Sequence, residues 1–162
     1  MCRVIVNSTP LISLGRINRL DLLKKVYGTI CIPQAVYDEI CEKDDAASEL
    51  LKTDPAWIKV MKIKDETARR WFPVSLHDGE VEVMILADEL GGRQVVIDDL
   101  PARKHAIRLF GREKVLGTLG TLIIAKRMGL IDVVGTLIED LKKAGIRYSD
   151  AAVQTALKMV GE

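Results

Sequence analysis

VIVNSTPLI, residues 4–12, decides how the chain is read. A run of β-formers meets the small polar cluster Asn7, Ser8 and Thr9, and Pro10 then opens a second apolar run. β-Branched residues suit pleated, buried backbone, and a proline in the first turn of a helix costs no hydrogen bond. The stretch reads as a strand that delivers polar side chains at its carboxyl end and turns into a helix. Working outward, RVIV (3–6), TICI (29–32), QVVI (94–97) and KVL (114–116) are the strand candidates, separated by longer helical patterns. That alternation predicts an α/β fold, a three-layer α/β/α sandwich with a central parallel sheet of four to five strands.

The helical patterns between the strands are a short helix from Pro10, one over 19–27, QAVYDEIC after Pro33 running on through DDAASELLKTDP, and 78–90 closed by Gly91 and Gly92. LPARKHAIRLFG and GTLGTLIIAKRMGLI follow. WIKVMKI (57–63) reads as an edge strand or an extended connection, with KDETARRW a short helix behind it. Two amphipathic helices, about 132–144 and 149–160 and the second capped by Ser149, end the chain. The expected organisation is an α/β domain over 1–131, with 132–162 a helical extension packed on it.

At 162 residues and 48% hydrophobic, the chain is long enough for one well-buried core. Its 24 basic and 23 acidic residues nearly cancel, so no global field marks a nucleic-acid or membrane-surface protein. No apolar run approaches a membrane span, and no leader pattern precedes the first strand. Cys2, Cys31 and Cys41 are odd in number and lack CxxC spacing, which points to a reducing cytosol rather than a disulfide framework. Asn and Gln together number five against abundant Lys, Arg and Glu, a thermophile-like bias.

In open parallel sheets, ligands bind beyond the carboxyl ends of the strands, where strand order reverses. The residues there are Asn7, Ser8 and Thr9, then Asp98 and Asp99, then Gly117 and Thr118. Helical spacing adds two acids. Glu80 shares a stripe with Val83, Met84 and Ala87, while Glu82 and Glu89 fall on the opposite, polar side. Glu39 lies between Ala35, Val36 and Ile40 with Asp38 outward, so Glu39 and Glu80 are both expected to face inward.

A carboxylate on an apolar stripe is costly unless paired or bound to a metal. Each acid has a simpler reading by itself. Glu80 could answer the helix dipole, Asp98 or Asp99 could cap the helix that follows, and Arg103 could pair with either. Independent capping does not explain why acids from separate segments meet at one sheet end. An oxygen-rich group without His or Cys suits Mg2+ or Mn2+ rather than zinc. His77 and His105 have no partner at metal-binding spacing and read as surface or packing residues. Two such ions roughly 4 Å apart can activate water for phosphodiester cleavage. No P-loop, GxGxxG or GxSxG occurs, which lowers the odds of an NTPase, dinucleotide enzyme or serine hydrolase.

The succession VNSTPLI, IPQAVYDEI, HDGEVEVMILADELG, VVIDDLPARKHA and GTLGTLIIAKRMGLI resembles a PIN domain, the fold of VapC-like toxins and related ribonucleases. The first motif resembles the branch that reads Asp or Asn, small hydroxyl residues, then Pro-Leu-Ile. The resemblance covers essentially the whole chain. It implies a metal-dependent endoribonuclease, often the toxin of a toxin–antitoxin pair, with RNA as substrate, a small antitoxin protein as partner, and a homodimeric state; the cysteine usage and the lack of a leader or span point to the cytoplasm.

Carried over position by position, the acidic ligands fall on Asn7, Glu39, Glu80 and Asp99, with Asp98 adjacent, as catalytic and metal-holding residues for Mg2+ or Mn2+. Ser8, Thr9, Arg103 and Thr118 are the substrate-binding candidates. Asn7 replaces the family's usual Asp, removing one formal charge. Arg16, Arg19, Lys24, Lys25, Arg103, Lys104, Arg108, Lys126 and Arg127 are candidate phosphate contacts. With aromatics at 4%, no base-stacking platform stands out. Two readings stay open: an active ribonuclease, and a catalytically weakened or inactive module that binds RNA or a partner protein. A receiver-like phosphoacceptor domain ranks last, because the lysine expected after a fifth strand is missing.

Overall fold

β1 (Val4–Val6) and β2 (Ile30–Pro33) are completely buried, as apolar runs covered on both faces must be. The computed structural model describes residues 2–162. β3 (Ile58–Met61), β4 (Gln94–Val96) and β5 (Val115–Leu116) complete a sheet of order β3-β2-β1-β4-β5. Every pairing is parallel, with Ile5 opposite Cys31 on one side of β1 and Val95 on the other. WIKVMKI thus supplies an edge strand, and its half-exposed pattern suits that place.

The helices are α1 (Ser8–Arg16), α2 (Asp21–Tyr27), α3 (Gln34–Cys41), α4 (Ala46–Lys52), α5 (Asp78–Glu89), α6 (Leu100–Phe110), α7 (Thr118–Arg127), α8 (Val134–Lys143) and α9 (Asp150–Met159). They flank the sheet as a three-layer α/β/α sandwich. α5 lies against β1, β2 and β4, while α2 packs on α7 and α7 carries α8 and α9. The core runs continuously from Val4, Ile5 and Leu11 through Val83, Met84 and Leu86 to Leu122, Ile138 and Leu141. Among the described residues, no helix is long and apolar enough to cross a membrane.

Three expectations need correction. First, α3 does not run on through residue 52. It ends at Cys41, and Asp45 starts α4 through a reciprocal cap, accepting from the Ser48 N–H at 3.0 Å while Ser48 Oγ accepts from the Asp45 N–H at 3.1 Å. Second, the polar side of α5 is engaged rather than free: Asp78 and Asp88 are exposed, but Glu82 is half-buried and accepts the Ala35 N–H at 3.2 Å, capping the start of α3, and Glu89 accepts the Lys64 N–H. Third, Cys2 and Cys31 form a disulfide with Cα atoms 5.7 Å apart, leaving Cys41 free among the described residues. Spacing along the chain does not reveal this, because the β1–β2 crossover creates the proximity.

Parallel topology puts every strand's carboxyl end at one edge, and strand order reverses there. From β1 the chain steps outward to β2 and β3, then returns to β4 on β1's other side. In open parallel sheets that switch point, here between β1 and β4, is where ligands bind. The Asn7 N–H donates to the Val96 carbonyl at 3.0 Å, which carries the ladder one residue past β1 and fixes Asn7 at that point.

Candidate active site

Asn7 occupies the N-cap position of α1, where an Asn side chain normally accepts a hydrogen bond from the first turn. It does not do so here. The residue is 2% exposed, and its Oδ1 is buried without a hydrogen-bond partner. A buried amide oxygen left this way costs about 1–3 kcal/mol unless something absent from the protein atoms satisfies it.

That oxygen faces Gly79, the second residue of α5. A Cβ on Gly79 would stand 3.5 Å from Asn7 Oδ1, 3.2 Å from Glu39 Oε2 and 3.3 Å from Val36 Cγ2. The missing side chain is therefore what lets α3 and α5 bring Glu39 and Asn7 to one spot. One residue on, Glu80 is 7% exposed and accepts the His77 N–H at 3.0 Å. Burial raises the Glu80 carboxyl above the usual range. The His77 N–H opposes the shift, and the negative charges of Asp99 and Glu39 reinforce it. Asp99 caps α6 through the Ala102 N–H at 3.1 Å and is otherwise exposed.

The arrangement is a cleft with a buried floor, Asn7 and Glu80, and two exposed acidic flanks, Glu39 and Asp99. Glu39 was expected to face inward with its neighbours. It is instead an exposed residue that reaches the floor from the rim, since its stripe borders the cleft rather than the core. Among the described residues, no three Asp, Glu, His or Cys groups close on a common point. The donors surround the cleft in an open arrangement.

Asp98 is not brought to this group. It accepts the Thr118 N–H at 2.7 Å and the Thr118 hydroxyl at 2.6 Å, so both its oxygens are engaged at the head of α7. Burial raises its carboxyl above the usual range, against those two bonds and the nearby Arg103 charge. Arg103 Nη1 donates to the Ile97 carbonyl at 3.1 Å, and a Cβ on Gly117 would stand within 2.8 Å of both Asp98 Oδ1 and Arg103 Nη1. Thr118 is fully buried and Ser8 is 4% exposed, so neither hydroxyl is presented to a large ligand, whereas Thr9 is exposed.

Several of the basic candidates are engaged elsewhere. Arg19 and Lys25 pair with Asp21 at 3.0 Å each, Arg16 bonds the Ala144 carbonyl, and Lys126 bonds the Asp132 carbonyl and lies 3.5 Å from Glu162. Lys104 and Arg108 on α6 are exposed. His77 heads α5, where its backbone N–H holds Glu80, and His105 packs on Phe72 with ring centroids 5.1 Å apart. Sequence reasoning missed Gly79, although a glycine in the first turn of an otherwise strong helix-forming run is itself a signal of close approach.

A family model described as a PIN domain matches residues 3–162. No curated protein and no solved structure matches the chain. With the match spanning nearly the full length, and the parallel sheet and the acid-lined crevice at its switch point already in place, the chain belongs to the PIN domain family.

Proposed function

We propose that the chain is a Mg2+- or Mn2+-dependent endoribonuclease that cleaves single-stranded RNA, with Asn7, Glu39, Glu80 and Asp99 holding the metal. The observation that carries this is the orphaned Asn7 Oδ1, a buried acceptor beside Glu39 Oε2 in a space that a Cβ on Gly79 would fill. An all-oxygen donor set of three carboxylates and an amide fits a hard divalent cation. Bound there, such an ion supplies an activated water and charge stabilisation for the leaving oxygen.

The chain's own residues do the positioning. Glu80 is held at the floor by the His77 N–H, and burial, reinforced by the negative charges of Asp99 and Glu39, raises its carboxyl above the usual range, a cost that a cation there would relieve. Asp99 is fixed by its cap to α6, and Arg103 steadies the turn that presents it through the Ile97 carbonyl. Thr9 is the exposed hydroxyl available to substrate. Asp98 and Thr118 serve as a buried brace between β4 and α7.

The likeness of VNSTPLI to the VapC-like branch supports a wider reading. In it the chain is the toxin of a toxin–antitoxin pair in the cytoplasm, a homodimer restrained by a small antitoxin protein. The Cys2–Cys31 disulfide does not oppose that location in a thermophile-like protein, since intracellular proteins of hyperthermophiles carry disulfides. A second reading, a PIN-like module without catalysis, is favoured by the neutral Asn7 and the open donor arrangement.

Cleavage of single-stranded RNA in Mg2+ or Mn2+ separates the two. Glu80→Ala and Asp99→Asn are expected to lower the rate by about 100-fold or more, beyond what loss of an outer-shell partner costs, and Asn7→Asp to raise metal affinity. A wild-type protein that cuts nothing while Asn7→Asp cuts would establish the module.

A further inference from the structure

The segment between β3 and α5 follows a strand's carboxyl end, so it hangs at the same edge of the sheet as the acidic cleft. Within it, Glu66–Trp71 forms a 3-10 turn. Two contacts tie the segment to the helices that deliver the acids. Arg69 Nε lies 3.2 Å from Asp78 Oδ1 and Arg69 Nη2 donates to the Leu76 carbonyl at 3.0 Å, which pins the turn to the start of α5, two residues before Glu80. Phe72 packs on His105 of α6, the helix that Asp99 caps.

Between these anchors stands Trp71, 74% exposed, with the Arg70 guanidinium carbon 5.5 Å from its ring centroid. A tryptophan left this open contributes little to the fold. Its two neighbours in sequence are a cation on its face and a buried-side anchor, a combination that holds the ring out rather than folding it in. Arg70 itself is exposed and lacks an acidic partner among the described ion pairs.

We propose that Trp71 and Arg70 form a base-stacking platform at the lip of the acidic cleft. A nucleobase of a single strand would lie on the indole while Arg70 meets the adjoining phosphate. The occupant is single-stranded nucleic acid rather than a protein, because the exposed ring comes with an exposed cation that makes no close ion pair among the described residues and sits beside the cleft proposed to cleave phosphodiesters. A flat π-face accepts any base, so the platform holds the strand without selecting sequence. A duplex, whose bases are stacked inside, is not a ligand. This inference rests on the nuclease reading for its substrate, yet it is read out by binding alone.

The test is a fluorescence titration of Trp57→Phe protein, in which Trp71 is the remaining tryptophan. Oligoadenylate and oligouridylate single strands are added without metal and again in Ca2+, with a gel confirming that the strands stay intact. Quenching is expected with both, tighter with oligoadenylate, and absent with a duplex of the same sequence. By anisotropy of a labelled strand, Trp71→Ala should weaken binding by about 5- to 150-fold, the equivalent of one stacked base. Trp71→Phe should recover most of the loss, and Arg70→Ala should lower the salt slope by about one phosphate contact.

Unquenched fluorescence together with unchanged binding by Trp71→Ala overturns the platform, including the case in which Trp71 instead meets a protein. Because RNA cleavage is scored separately, that result would leave the nuclease reading standing. Quenching by a protein that cuts no RNA would sink the nuclease reading and keep the platform.

Discussion

Gly79→Ala adds one methyl group at the point where α3 and α5 come closest. At an open helical position this change stabilises by about 0.5–1 kcal/mol, since alanine restricts the unfolded chain and favours helix. Here the new methyl meets Glu39 Oε2 at 3.2 Å, Val36 Cγ2 at 3.3 Å and Asn7 Oδ1 at 3.5 Å. Val36 is fully buried and has little room to give, whereas Glu39 is exposed and can swing away by a few tenths of an ångström. An overpacking cost near the low end of the usual range, about 1 kcal/mol, offsets the helical gain. The net stability change should stay within about 1 kcal/mol, a Tm shift of about 4 °C or less.

The cleft is hit harder. The methyl fills space between two proposed metal donors and moves one of them, so Mn2+ affinity should fall by about 10- to 100-fold. The cleavage rate at limiting Mn2+ should fall by a similar factor and recover as the metal is raised. Calorimetric Mn2+ titration, thermal melting and cleavage rates across Mn2+ concentration measure the three quantities separately. If Gly79→Ala bound Mn2+ and cut RNA like wild type, Asn7 and Glu39 would not be the walls of the metal site.

Two further predictions concern the frame around the site. The Cys2–Cys31 bond closes a loop with a sequence separation of 29, so its reduction should cost about 3–4 kcal/mol by the chain-entropy argument and lower Tm by about 10 °C. Three free thiols in native protein purified without reductant would remove that bond from the account. At the far end, Glu162 accepts the Gly135 and Val134 N–H groups at 2.9 and 2.8 Å, and these bonds, helped by Lys126, hold its carboxyl below the usual range. A depressed folded pKa gives stability that is present above the unfolded value, about 4.3, and is lost as pH falls through the folded one. The Tm gap between wild type and Glu162→Gln should be widest near neutral pH and close in acid; a gap that does not change with pH would show that the clasp contributes nothing through its charge.

What the sequence by itself determined follows from short-range rules. β-Branched runs and helical repeats carry the parallel α/β architecture, because those periods are local consequences of backbone geometry. The order of motifs places Asn7, Glu80 and Asp99 at one sheet end, because parallel strands put all their carboxyl ends on the same side. Tertiary structure alone decided which acids meet. Asp98 and Asp99 are adjacent in sequence, yet Thr118, arriving from beyond β5, engages Asp98 and leaves Asp99 to the cleft. Glu82, placed on the polar side of α5 by its spacing, is half-buried because α3 offers it the Ala35 N–H. The pairing of Cys2 with Cys31, the close approach at Gly79 and the outward indole of Trp71 depend likewise on segments far apart in sequence. Their physical cause is non-local contact, which no window along a single strand or helix contains.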